Sequence, residues 1–117
     1  MSPRNALLLV ALLASQEAQA HAFLVKSNPA VGAVMARPGT LSLEFTEPIE
    51  LAFSGADLLN ASGTRITMEQ FRFADGGHKV LVAALPVLAP GAYHVRWHVV
   101  STDTHRTEGD FTFTVKP

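Results

Sequence analysis

The chain has 117 residues, no cysteine and a net charge of −1. That length bounds it to one domain around a single core. The charge balance argues against a nucleic-acid binder, which would show a basic face or stripe. The absence of thiols excludes disulfides, thiolate zinc centres and cysteine nucleophiles.

Residues 1–20 read as a cleaved signal peptide. Arg4 gives a short basic start, Ala6 to Ala14 (ALLLVALLA) is an uncharged apolar run, and Ala18-Gln19-Ala20 puts small residues where a signal peptidase reads them. The apolar run is too short to span a bilayer, which takes about twenty residues in a helix. Cleavage is expected between Ala20 and His21, leaving an exported, soluble mature domain over 21–117. Losing Arg4 and Glu17 together leaves the net charge at −1.

Strand periodicity dominates the mature region. A first strand is expected at 22–27. In TLSLEFT (40–46), Leu41, Leu43 and Phe45 alternate with Ser42 and Glu44, giving one buried and one wet face. Further strands are expected at 53–60, 64–73 and 79–84. AYHVRWHV (92–99) alternates Tyr93, Val95, Trp97 and Val99 with His94, Arg96 and His98, and GDFTFTV (109–115) repeats the pattern with Phe111, Phe113 and Val115. Turn chemistry separates the segments at Asn28-Pro29, Arg37-Pro38-Gly39, Ser62-Gly63, Asp75-Gly76-Gly77 and Ala89-Pro90-Gly91. About seven short strands with regular turn signals imply an all-β fold, a Greek-key barrel or immunoglobulin-like sandwich.

The chain holds 5 histidines, each a candidate ligand in a cysteine-free exported domain. His78 follows a DGG turn and reads as a loop residue. His94 and His98 share the polar face of one strand, but four residues at that rise separate them by roughly 13 Å, too far to share one ion. In STDTHRTEG (101–109), Asp103 and His105 are two apart, so an extended segment would project both to one side. A Ser101–Asp103–His105 triad is set aside, because no G-x-S-x-G turn surrounds the serine. If cleavage falls before His21, that residue offers its α-amino nitrogen as well as its ring. A free amine with an ordinary pKa of about 8 yields its proton to a metal at neutral pH. His21 through amine and ring, His105 and Asp103 would then give three nitrogens and a carboxylate. That set suits Cu(II) better than zinc.

At these residues the chain resembles the copper-resistance protein C (CopC) family of periplasmic copper carriers. The resemblance rests on His21 directly after the signal peptide, SNPAVGAV, LEFTEPIE, and GAYHVRWHVVSTDTHRTEGDFTFTV, in order over essentially all of 21–117. It implies one Cu(II) per chain, held by His21, Asp103 and His105. It also implies Glu47 beside the metal as an orienting carboxylate or occasional ligand, and Trp97 near the site. Some family members hold Cu(I) in a methionine-rich loop. The corresponding ADLLNASGTRITMEQF has only Met68, with Met35 remote, so no Cu(I) site is expected. Arg106 stands where proline is common in the family, and could weaken cation binding or guide a partner. The expected role is copper sequestration, resistance or delivery to an inner-membrane partner of the copper-resistance D type, without catalysis. The rivals are a copper oxygenase with an N-terminal histidine brace and a metal-free β-sandwich assembly module.

Overall fold

Alternating segments pair into two sheets packed face to face. The computed structural model describes residues 22–117. In chain order these form β1 (Leu24–Asn28), β2 (Val34–Met35), β3 (Thr40–Phe45), β4 (Gly55–Asn60), β5 (Arg65–Ile66), β6 (Arg72–Phe73), β7 (Val80–Ala84), β8 (Gly91–Val100) and β9 (Arg106–Val115). One turn of 3-10 helix, Leu51–Phe53, lies between β3 and β4. One sheet runs β1-β3-β7-β6 and the other β2-β9-β8-β4-β5. The expected all-β Greek-key architecture thus takes the form of a sandwich. Among the described residues no helix is long and apolar enough to cross a membrane.

The core lies where the apolar files of the two sheets meet. Leu41, Leu43, Phe45 and Leu81 face Leu58, Tyr93, Val95, Trp97, Val99, Phe111, Phe113 and Val115, all buried in one cluster. Each fully buried Leu, Val or Phe contributes about 1.5–3 kcal/mol, which has to suffice where no disulfide helps. Trp97 meets Phe45 edge-on at 5.3 Å between ring centroids. Such edge-to-face contacts add about 0.5–1.5 kcal/mol to the burial.

Several local expectations need correction. The segment 64–73 is not one strand: β5 belongs to the five-stranded sheet and β6 to the four-stranded one. Its half-buried residues Ile66 and Met68 are in one phase and Phe71 and Phe73 in the other. That slip marks a crossing between sheets, since one strand keeps one phase on one face. β2 was not anticipated; its two residues pair parallel with Thr114 and Val115 and are too few to show a period. β9 begins at Arg106 rather than 109, and β1 at Leu24 rather than 22.

Candidate metal centre

β8 and β9 pair from Gly91↔Val115 to Val100↔Arg106, and residues 101–105 join them at one end of the sandwich. The inward file of β8 runs Tyr93, Val95, Trp97, Val99 and then Ser101, which is 2% exposed. The Ser101 backbone N–H donates to the His105 carbonyl at 2.9 Å, and the Thr104 N–H donates to the Ser101 carbonyl at 2.8 Å. Thr104 adopts φ 75°, the left-handed region that β-branched residues rarely enter.

Asp103 and His105 are brought together, but not in the expected way. The segment is a closed turn, not an extended run. Its hydrogen bonds place His105 Nδ1 3.3 Å from Asp103 Oδ1. The His105 backbone N–H also points at that oxygen, at 3.4 Å. The Ser101 hydroxyl donates to the same Oδ1 and lies 3.2 Å from the His105 carbonyl. The Ser101 hydroxyl holds the Asp103 carboxyl below its ordinary pKa; partial desolvation opposes this, and the His105 side chain, N–H and charge reinforce it. Asp103 is therefore a carboxylate at neutral pH. Both side chains are about half exposed, so an ion can reach them.

The pair fits a small cation. Ligand atoms about 2.0–2.1 Å from one ion lie roughly 2.9–3.4 Å apart for angles between square and tetrahedral. The observed nitrogen-to-oxygen separation falls inside that range. A hydrolytic triad does not fit, because the buried Ser101 hydroxyl bonds Asp103 and the His105 carbonyl, not the His105 ring.

Two neighbouring segments close this end. In the loop after β3, Pro48 accepts from the Thr102 N–H at 3.1 Å, the Glu50 N–H donates to Val100 at 2.8 Å, and Ile49 bridges Ser101. Glu47, next to Pro48, is exposed there. The start of the described chain is pinned on the other side. The Thr107 hydroxyl donates to the Ala22 carbonyl at 2.6 Å. Phe23 donates to the Thr46 hydroxyl and accepts from the Thr46 N–H, both at 2.9 Å. Thr107 reaches Ala22 because it pairs with inward-facing Val99 and points into the same interlayer space. Ala22 itself is fully buried.

His21 and the expected signal segment, residues 1–20, lie outside the described residues. Among the described residues no group of three or more His, Asp or Glu converges, so Glu47 is not drawn into a cluster with Asp103 and His105. Trp97 is 8% exposed and paired with Gly109, one inward pair below Val99↔Thr107. The other histidines are dispersed. His94 Nε2 lies 3.5 Å from Asp110 on the outer face, and His78 stacks on Phe73 at 4.3 Å. His98 borders a separate open cavity of about 840 Å³ beside Met68 and Phe71. Met68 packs against the core, while Met35 sits beside Val115, at the far end of β9 from the turn. Arg106 pairs with Glu108 at 3.3 Å.

A family model described as the CopC domain matches residues 24–116. The chain belongs to the CopC family. Copper resistance protein C of Pseudomonas syringae pv. tomato is 38% identical, over 90% of this chain and 88% of its own length. The crystal structure of CopC from Methylosinus trichosporium OB3b superposes with a TM-score of 0.77 at 33% identity, covering 83% of this chain and 95% of that one. PcoC, a methionine-rich copper resistance protein from Escherichia coli, gives a TM-score of 0.75 at 35% identity, covering 83% of this chain and 100% of that one. This CopC-family chain differs from the methionine-rich description, with 3 methionines in its whole length.

The roles of Ser101 and Thr107 went unread in the sequence. For Ser101 a signal existed: it continues the odd-numbered inward phase of Tyr93 to Val99, which marks it as buried. For Thr107 none did, since its partner Ala22 lies 85 residues away.

Proposed function

We propose that this protein is an exported copper carrier. It binds one Cu(II) per chain through the His21 amine and ring, the Asp103 carboxylate and the His105 imidazole, after cleavage between Ala20 and His21. The observation that carries the reading is the preformed Asp103–His105 pair, its nitrogen and oxygen 3.3 Å apart and facing solvent. The Ala22 anchor supports the third participant. Residue 21 is one peptide unit, about 3.8 Å between Cα atoms, from a point fixed to Thr107, itself two residues beyond His105. The names of the relatives, copper resistance protein C and PcoC, supply the metal, and the donor set suits Cu(II).

Each residue has a physical task. The His21 amine and imidazole close a chelate ring; Asp103 neutralises part of the ion's charge; His105 adds the third nitrogen. Glu47 is an outer carboxylate that orients the ligands. Among the described residues Met68 packs against the core and Met35 lies at the far end of β9, so no Cu(I) methionine site is expected. Binding weakens in acid, because amine, imidazoles and carboxylate all bind deprotonated. The work is sequestration or delivery in the periplasm, with a copper-resistance D-type protein of the inner membrane as recipient, and no reaction is turned over.

The test compares the processed protein with a form carrying one extra alanine before His21, each titrated with Cu(II) and followed by fluorescence of Trp97, the chain's single tryptophan. The processed form should bind one equivalent with quenching. The extended form should bind at least about tenfold more weakly, a loss of about 1.4 kcal/mol. Equal affinity would overturn the N-terminal chelate, and binding without quenching would remove Trp97 from the site's neighbourhood.

A further inference from the structure

Ser101 follows Val95, Trp97 and Val99 in the inward file of β8, a hydroxyl where the alternation places apolar side chains. A buried hydroxyl there needs partners, and it has them in the turn. Its Oγ donates to Asp103 Oδ1 and lies 3.2 Å from the His105 carbonyl. Its backbone N–H bonds that same carbonyl, and its own carbonyl accepts from Thr104. One residue thus touches all three that follow Thr102.

Thr104 gives the second observation. At φ 75° it holds a conformation that costs a β-branched residue energy and persists only where its surroundings over-determine it. With an extended Thr104 the chain would run on as a strand, and His105 could not fold back onto Ser101. The strain buys a closed turn in which the carboxylate and the imidazole already face one another.

We propose that Ser101 is a positioning residue for copper: it fixes the Asp103 carboxylate and the His105 backbone in their ligating arrangement before the ion arrives. This rests on the reading that Asp103 and His105 bind the metal. Ser101 acts through Asp103 and the His105 backbone, without touching copper. Because the two ligands are ordered at folding, binding loses less conformational freedom, and the gain appears mainly as slower release.

The experiment measures Cu(II) release into a competing chelator from the wild type, Ser101→Ala, Asp103→Ala and the double variant, with copper-free urea midpoints for each. Ser101→Ala should release copper about tenfold faster, in line with losing one hydrogen bond to a charged group. In the Asp103→Ala background it should add less, since only its bond to the His105 carbonyl then remains. Wild-type release from Ser101→Ala would overturn the proposal. So would equal acceleration in both backgrounds, which would mark a purely structural role. ¹⁵N relaxation of the copper-free wild type needs no variant to fold: residues 102–105 should show order parameters of about 0.85, and values below about 0.6 would refute a preformed turn. If Asp103→Ala and His105→Ala both bind copper as the wild type does, the copper reading itself fails. If they lose tight binding while Ser101→Ala keeps wild-type release, only this inference fails.

Discussion

Gly109 faces Trp97 across β8 and β9, and the fit leaves no room for a methyl group. A Cβ built at Gly109 would stand 2.5 Å from Trp97 Cζ2, 2.9 Å from Cε2 and 3.2 Å from Nε1. Carbon atoms rest at about 3.5–4.0 Å, so the first contact overlaps by about 1 Å. The indole has little room to retreat, because it is 8% exposed and set edge-on against Phe45, itself 1% exposed. Overpacking of this kind costs about 1–3 kcal/mol. Gly109 is not among the residues with positive φ, so the objection to alanine is steric alone. Alanine also restricts the unfolded chain, which returns about 0.4–1 kcal/mol. The net expectation for Gly109→Ala is a loss of about 1–2 kcal/mol. With a urea m-value of about 1–1.5 kcal/mol/M, that lowers the unfolding midpoint by about 1 M. Far-UV circular dichroism reads the midpoint, and Trp97 emission reports the displaced ring. Thr112→Ala, at an exposed position of the same strand, should stay within about 0.5 kcal/mol. An unchanged midpoint for Gly109→Ala, or a raised one, would refute the packing argument.

Thr107→Val keeps the shape of the side chain but leaves the buried end of the chain without its donor at the Ala22 carbonyl. We expect a loss of about 1–2 kcal/mol in urea unfolding and weaker copper binding by about tenfold; both unchanged would show that the anchor does not matter. Asp103 carries a lowered pKa, so its contribution to stability is present above the ordinary value of 3.8 and is lost as pH falls through the lowered folded value. Removing the largest cause by Ser101→Ala should move the carboxyl titration upward in ¹³C NMR of the copper-free protein, and an unmoved titration would contradict the hydrogen-bond assignment.

Alternation made the two central segments legible, because a half-buried strand must place one face on the core. Leu41 to Phe45 and Tyr93 to Val99 could hardly sit otherwise. The same rule extends to Ser101, whose burial follows from its phase, although on sequence alone it figures only as a rejected nucleophile. It did not reach the turn itself. Threonine disfavours positive φ, so nothing in STDTH announces that Thr104 curls the chain, and Asp103 and His105 meet through a turn, not along a strand. In 64–73 the slip from Met68 to Phe71 was visible in the letters, yet only the sheet assignment shows it to be a crossing. β2 is held by partners at the far end of the chain, which no local pattern encodes.

On the proposed reading, the ligands come from two sources that must agree to the residue. Asp103 and His105 belong to a turn tied by Ser101, and their position is set by the register of β8 and β9. The remaining donors belong to the chain's first residue after cleavage, and the sandwich reads that position from Ala22 onward. The Thr107 and Thr46 hydroxyls grip residues 22 and 23, not the terminus itself. Cleavage one residue early would leave the His21 ring in place but convert its amine to an amide, a poor ligand at neutral pH. Cleavage one residue late would remove the histidine altogether. The uncleaved precursor carries the Asp103–His105 pair without the amine, so it can offer at most the three side chains. On that reading, tight Cu(II) binding is coupled to export and processing by the chemistry of a single nitrogen, next to residues 22 and 23 that the two threonine hydroxyls hold.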